Sequence, residues 1–313
     1  MERIAIYGAG KYGKLVKTIY EKKGCKIACF IVSCYRGGDK FIDGVEIIGI
    51  ADIDEAELCV SKIIVAMDER NWVSVKKRLL ESLPSYCKDM VVFLTHNDIQ
   101  KMMRETFPFE MDRILHATEP VSRDFGLDRG TAIDRYYIEK FLREESRHIK
   151  EPCITLEVGE DTYSKRYFPG ARHDILDFSR GMDLTKPESL PLEMYDVFIC
   201  TQTFHQIYDL KKAIHGAWKL LKYGGTMLAT VCGCVTQLAR TEDWDHYWGF
   251  TVASFRKLLK EQFGEDVVVL GYGNSMVATA FIQGMALEEI DNTLLDINDN
   301  DFSICISAVV RKN

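Results

Sequence analysis

No stretch of this chain stays uncharged long enough to cross a bilayer as a helix. Its longest uncharged runs, residues 224–239 and 271–287, carry Thr, Gln or Asn and fall short of the ~20 apolar residues a span needs. The opening MERIAIYGAG sets a charge ahead of a short strand and lacks the pattern of a signal peptide, so the expected location is cytoplasmic. Positive charge is also in short supply. With 40 Lys and Arg against 47 Asp and Glu, the net charge is -7, and no surplus exists to neutralise phosphates. That excludes a general nucleic-acid binder but leaves room for a local basic patch. Ten cysteines are present, yet Cys25, Cys29 and Cys34, like Cys232 and Cys234, lack a second pair or a histidine at ligand spacing. Reduced thiols and no bound metal are expected. What is present, 47% hydrophobic and 28% charged residues in 313, fits a globular protein of two domains. No repeat is visible beyond two halves that alternate strands and helices, and the boundary is expected near residue 110.

The N-terminal half begins with an apolar strand over Arg3–Tyr7 that runs into Gly8-Ala9-Gly10-Lys11-Tyr12-Gly13 and then a helix. That is G-x-G-x-x-G in a strand-to-helix setting, where glycines let the backbone approach a phosphate on the helix N-terminus. Gly8, Gly10, Lys11 and Gly13 are therefore candidate nucleotide-binding residues, the alternative being a vestigial unit that orients the second domain or mediates assembly. The strand Ile27–Val32 should end in an acid if an NAD ribose is held. It ends in Ser33 and Cys34, with Asp39 deeper in the loop, so NAD is weakly supported. An acidic helix, a strand over Ile63–Ala66, a helix over Lys76–Leu83 and a strand over Val91–Leu94 follow. His96–Glu110 reads as a polar, Met-rich connector.

The C-terminal half centres on residues 195–233. Val197–Cys200 is a buried strand, and Leu210, Ala213, Ile214, Ala217, Trp218 and Leu221 form one face of a helix. Gly224-Gly225 reads as the helix cap and Thr226–Val231 as a second buried strand. Strand, helix, strand implies parallel pairing and a ligand beyond the strand carboxyl ends, where Thr201, Gln202, Thr203 and Cys232 fall. Upstream lie a helix with Ile133, Tyr137, Ile138, Phe141 and Leu142 on one side, a strand Ile154–Gly159 and a strand Arg172–Leu176. Downstream lie a helix Val252–Phe263, a strand Val267–Tyr272, a helical insertion and a last strand Phe302–Val310.

Leu221-Lys222-Tyr223-Gly224-Gly225, Leu156-Glu157-Val158-Gly159, Asp183-Leu184 and Thr201-Gln202-Thr203 come in an order that resembles class I S-adenosylmethionine (SAM)-dependent methyltransferases. The run from residue 115 onward, with Asp134-Arg135-Tyr136-Tyr137-Ile138-Glu139, Thr201–Asp209 and Asp243–Thr251, resembles those encoded beside bacterial glycosyltransferases. The first 95 residues resemble the N-terminal domain of bacterial nucleotide-sugar acyltransferases. The resemblance implies an α/β chain of two Rossmann-like domains, residues 1–110 and 111–313. The second would carry a seven-stranded sheet whose last strand inserts antiparallel.

It also implies site residues. Arg135 or Tyr136 would reach the methionine carboxylate of SAM, and Glu157, Gly159, Asp161 and Tyr163 would form the cofactor loop. Asp174 or Asp177 would hold the ribose, Asp183-Leu184 the adenine, and Thr201, Gln202 and Thr203 the methyl-donor end. Two of the three glycines usual in that loop are missing, which means either a loop normal for this subgroup or one that no longer admits SAM. His205 is one candidate base, and His246 with Asp243 or Asp245 another; helix capping and packing compete with both roles. The aromatic run Trp244–Phe250 is either a sugar-stacking surface or a hydrophobic plug. The expected activity is methyl transfer to a sugar, glycan or nucleotide-sugar precursor, with SAM as cofactor and a possible nucleotide or nucleotide sugar in the first domain. The rival readings are a sugar-modifying enzyme that binds NAD or a nucleotide sugar, and a catalytically silent scaffold in glycan assembly. Oligomeric state is not legible.

Overall fold

A computed structural model describes residues 1–34, 40–53, 58–108, 118–233 and 245–313. Tyr35–Asp39, Cys234, Asp243 and Trp244 lie outside them. The chain divides into two compact units, residues 1–118 with 127–130, and residues 119–126 with 131–313. Each holds a mixed sheet of six strands in an α/β arrangement. Among the described residues no helix is long and apolar enough to cross a membrane.

The N-terminal unit contains β1 (Arg3–Tyr7), β2 (Lys26–Val32), β3 (Phe41–Ile42), β4 (Val45–Gly49), β5 (Lys62–Val65) and β6 (Val91–Phe93) in the order β3-β4-β2-β1-β5-β6. All pairings are parallel except β3 with β4. Its helices are α1 (Lys11–Lys22), α2 (Trp72–Ser82) and α3 (His96–Thr106). Alternation along β1 feeds both faces: Ile4 and Ile6 pack with Val16 and Ile19 of α1 and with Ile99 and Met103 of α3. Ala5 and Tyr7 pack instead with Val75 and Leu79 of α2. The connector expected at His96–Glu110 is thus largely the helix α3. Thr95 and Asp98 form a reciprocal capping box at its start, and Ile99 and Met103, one turn apart, bury its apolar stripe. The acidic helix expected after β4 starts as a short 3-10 turn, Ile50–Asp52, and residues 54–57 lie outside the described set.

The C-terminal unit contains β7 (Ile154–Val158), β8 (Arg172–Leu176), β9 (Tyr195–Thr201), β10 (Leu221–Cys232), β11 (Val267–Tyr272) and β12 (Cys305–Arg311), ordered β11-β12-β10-β9-β7-β8. Its helices are α4 (Ile133–Ser146), α5 (Thr162–Tyr167), α6 (Leu210–Leu220), α7 (Val252–Phe263) and α8 (Ser275–Ile282). The last strand inserts antiparallel between β10 and β11, as expected. Among the described residues the sheet has six strands, and the expected seventh is not among them. Between β8 and β9 the chain makes two 3-10 turns, Phe178–Arg180 and Pro187–Ser189. A second correction concerns Gly224-Gly225. The chain enters β10 directly from α6, and the pairing with β9 jumps from Leu221–Tyr195 to Thr226–Val197. Gly224 takes φ +81° inside that bulge, so the glycines bend a strand rather than cap a helix. One sheet face packs on Ala213, Ile214 and Ala217 of α6 and Phe255 and Leu259 of α7. Helix α4 packs on β10 and β12.

Candidate functional site

Strand order places the site. From β7 the chain goes to β8 on one side, and it later reaches β9 and β10 on the other. The loops at the carboxyl ends of β7 and β9 therefore part, and open α/β sheets bind ligands at that switch point. A cleft of about 320 Å³ lies there, lined by Val158 after β7, Leu176 at the end of β8, Thr203 after β9, and Asp183, Leu184 and Ile207. Phe178, Tyr208 and Tyr247 also line it.

The β7 loop is closed by the chain's own carboxylate. Glu157 is buried and accepts from the backbone N–H groups of Tyr163 (3.3 Å) and Ser164 (2.7 Å), which ties β7 to α5. Burial raises its pKa, and the two N–H bonds oppose that rise. Gly159 sits at φ +77° with open space where a Cβ would stand. Asp161 pairs with Lys165 at 2.7 Å. The Arg135 guanidinium donates to the Tyr163 hydroxyl at 2.8 Å, joining two predicted cofactor residues. Tyr136 does not join them: its hydroxyl donates to Asp296 at 2.9 Å, a carboxylate also held by Lys140 at 2.7 Å.

The candidate ribose and adenine acids have partners of their own. Asp177 accepts from Ser179 N–H (2.9 Å) and Oγ (2.6 Å) and pairs with Arg180 (3.1 Å); the Ser179 bonds above all hold its carboxyl below the usual range. Asp174 pairs with Arg172 at 2.6 Å. Asp183 accepts from Thr185 N–H (2.9 Å) and Oγ1 (2.8 Å) and pairs with Lys186 (3.1 Å). Burial works to raise Asp183, but these partners outweigh it and its pKa is lowered. Leu184 beside it is buried. At the end of β9, Gln202 takes φ +49°, a left-handed conformation that costs a residue with a side chain. Its N–H donates to Thr230 O at 2.8 Å, and its amide lies 3.8 Å from Cys305 Sγ. Thr203 turns its hydroxyl back to Thr201 O at 2.9 Å.

Two candidate bases, distant in sequence, meet. The His205 and His246 rings stand perpendicular, 4.5 Å between centroids. The His205 carbonyl accepts from Tyr247 N–H (2.9 Å) and Trp248 N–H (3.2 Å), which fixes the two segments together. His205 is 2% exposed, and its buried Nδ1 has no hydrogen-bond partner among the described residues. Burial first, and His246 second, lower its pKa to about 3, so the ring is neutral at working pH. The Asp245 carboxylate accepts from the backbone N–H of His246 at 2.8 Å. The aromatic run divides: Phe250 is core, packed on Phe255, while Tyr247 and Trp248 are exposed. Neither Phe178 nor Tyr208 was selected from the sequence. Tyr208 sits within the Thr201–Asp209 run that marks the site, and that position was the available signal.

In the N-terminal unit the three motif glycines differ. A Cβ on Gly8 would meet Ala66 O at 2.7 Å and one on Gly13 would meet Gly8 O at 1.9 Å, so both serve close packing. Gly10, before Lys11 and α1, has open space around it. Ser33 at the end of β2 bonds Tyr7 at 2.7 Å. Among the described residues, no group of three or more His, Cys, Asp or Glu is placed to hold a metal.

No protein-family model matches the sequence, and no curated protein matches it. Solved structures similar to it include a SAM-dependent methyltransferase from Archaeoglobus fulgidus, at 12% identity over 57% of this chain and 94% of that one, TM-score 0.40. The CurJ carbon methyltransferase aligns at 13% identity over 78% and 80%, TM-score 0.41. Phosphoethanolamine N-methyltransferase 2 from Haemonchus contortus, solved with SAM, aligns at 13% over 100% and 95%, TM-score 0.37. At these values no substrate passes from those proteins to this chain.

Proposed function

We propose that the C-terminal unit binds SAM in the switch-point cleft and transfers its methyl group to a hydroxyl of a sugar, glycan or nucleotide-sugar precursor. The observation that carries this reading is the strand order β8-β7-β9-β10-β12-β11, with β12 antiparallel and the cleft between the β7 and β9 ends. The side chains suit the group. Leu176, Leu184 and Ile207 give an apolar slot for a purine with Asp183 at its edge. Arg135, held by Tyr163, is not among the residues lining the cleft but lies in a separate pocket with Tyr136 and Lys140, from which its guanidinium fork would have to reach a SAM carboxylate. Gly159 leaves room for close backbone approach. When bound, SAM supplies an activated methyl and its own leaving group, so the protein's main task is to align donor and acceptor.

Thr203 and Gln202, held at the end of β9, would set the donor end. Of the two histidines, His205 is too weak a base, because burial leaves it neutral but hard to protonate. His246 is assigned the proton of the acceptor hydroxyl, with His205 as the ring that positions it. In the N-terminal unit, Gly10 and Lys11 at the start of α1 would take a phosphate of a nucleotide or nucleotide sugar.

The test is calorimetric titration of the full chain with SAM and S-adenosylhomocysteine. Micromolar binding is expected, weakened about 10- to 100-fold in Arg135→Ala, as expected for one hydrogen bond to a charged group, and abolished in Gly159→Trp. No binding by folded wild type would overturn the reading and move attention to nucleotides at Gly8, Gly10 and Gly13.

A further inference from the structure

Three large rings at the cleft mouth stay in water. Tyr208, Tyr247 and Trp248 are 69%, 50% and 40% exposed. Aromatic side chains carry much apolar surface, and a cluster of them left outside marks a contact site. Their positions are fixed by backbone. Besides the two N–H bonds to His205 O, Trp248 Nε1–H donates to Ile207 O at 3.0 Å. Tyr247 stands at 75° to Tyr208 with centroids 5.4 Å apart, and Trp248 lies 30° off Tyr208 at 6.3 Å. The rings thus form a corner with one upright member, pre-organised before any ligand arrives. Tyr208 and Tyr247 also line the cleft, so corner and cleft are continuous.

Charge narrows the ligand. Among the described residues lining the cleft there is no Lys or Arg to offset an anion. Its two acids are engaged, Asp209 with Lys212 at 2.7 Å and Asp183 with Thr185 and Lys186. The Asp245 carboxylate next to the corner is turned to the His246 N–H. The corner itself, Tyr208, Tyr247 and Trp248, carries no formal charge. Ring faces carry partial negative charge and attract polarised C–H groups. A pyranose presents such C–H groups on its ring faces and hydroxyls at its edge, and the His205–His246 pair stands beside the same backbone hydrogen bonds.

We propose that Tyr208, Tyr247 and Trp248 form the acceptor subsite and that it takes the C–H face of an uncharged pyranose. The role as acceptor subsite rests on the methyl-transfer reading; the binding itself does not.

The test is saturation-transfer NMR on the full chain, with and without S-adenosylhomocysteine. The probes are neutral methyl pyranosides of glucose, galactose, mannose and N-acetylglucosamine, with choline and glucose 6-phosphate for comparison. Transfer to ring C–H groups of at least one neutral pyranoside is expected, with affinity at least about tenfold weaker in Tyr208→Ala and retained in Tyr208→Phe. Thermal midpoints of both variants check folding, and Tyr247→Ala repeats the test from the other wall. The proposal is overturned if no neutral pyranoside binds, if Tyr208→Ala and Tyr247→Ala bind as wild type does, or if choline or the sugar phosphate binds more tightly. SAM titration on the same samples separates the two ideas. SAM binding without sugar sinks the corner alone; sugar binding without SAM sinks methyl transfer and leaves a sugar site.

Discussion

Acid should destabilise the C-terminal unit through His205. The ring is 2% exposed, its Nδ1 has no partner among the described residues, and burial with His246 takes its pKa from 6.5 to about 3. In the unfolded chain the same imidazole titrates near ~6.5. Between those values the unfolded state binds the extra proton, so stability is present in full above pH ~6.5 and is lost as pH falls toward 3. Integrated from pH 8 to pH 5, the loss is about 2 kcal/mol from this residue. Urea unfolding of wild type and His205→Gln at both pH values isolates it, because the other histidines titrate in both proteins. Wild type should lose about 2 kcal/mol more than the variant between pH 8 and 5. An equal loss in the two proteins would mean that His205 is solvated or can be protonated in place, and its assigned neutrality would fail.

Gly216 lies in α6, where alanine would ordinarily help a helix, yet a Cβ there would meet Leu184 O at 2.0 Å. Gly216→Ala should cost about 1–3 kcal/mol by overpacking and push the Asp183-Leu184 wall, read as a lower urea midpoint and weaker SAM binding. A midpoint at or above wild type would refute the contact. Lys312 is wholly buried, with Nζ 2.8 Å from Leu221 O, 3.2 Å from Glu193 and 4.0 Å above the Trp218 ring. Glu193 is half exposed and can return to water, so Lys312→Met should cost about 1–3 kcal/mol from the lost charged hydrogen bond and cation–π contact. Equilibrium unfolding checks this; an unchanged midpoint would make the lysine dispensable.

Local pattern determined the elements. The apolar spacing of Ile133, Tyr137, Ile138, Phe141 and Leu142 is the buried face of α4, and the residues read as one face of α6 include the buried Leu210, Ala213, Ile214 and Ala217. The short apolar runs became β7, β9, β10 and β11, because burying such a run fixes its place whatever lies next to it. Pattern failed where short-range signals compete. Polar and Met-rich residues hid α3, whose capping box and two buried side chains make it a helix, and a Gly-Gly pair suits a helix cap or a strand bulge equally well.

The sequence by itself also pointed to runs of the candidate site, since Gly159, Thr203 and His205 sit just beyond strand ends, where parallel sheets expose loops. What each side chain does there was decided by tertiary structure. Glu157 turns to the N–H groups of α5, Tyr136 to Asp296, Phe250 to the core, and Tyr208 to residues 39 and 40 positions away. The physical reason is one of range. Burial and backbone preference are properties of a few adjacent residues, whereas a hydrogen-bond partner or a ring neighbour exists only once distant strands have paired.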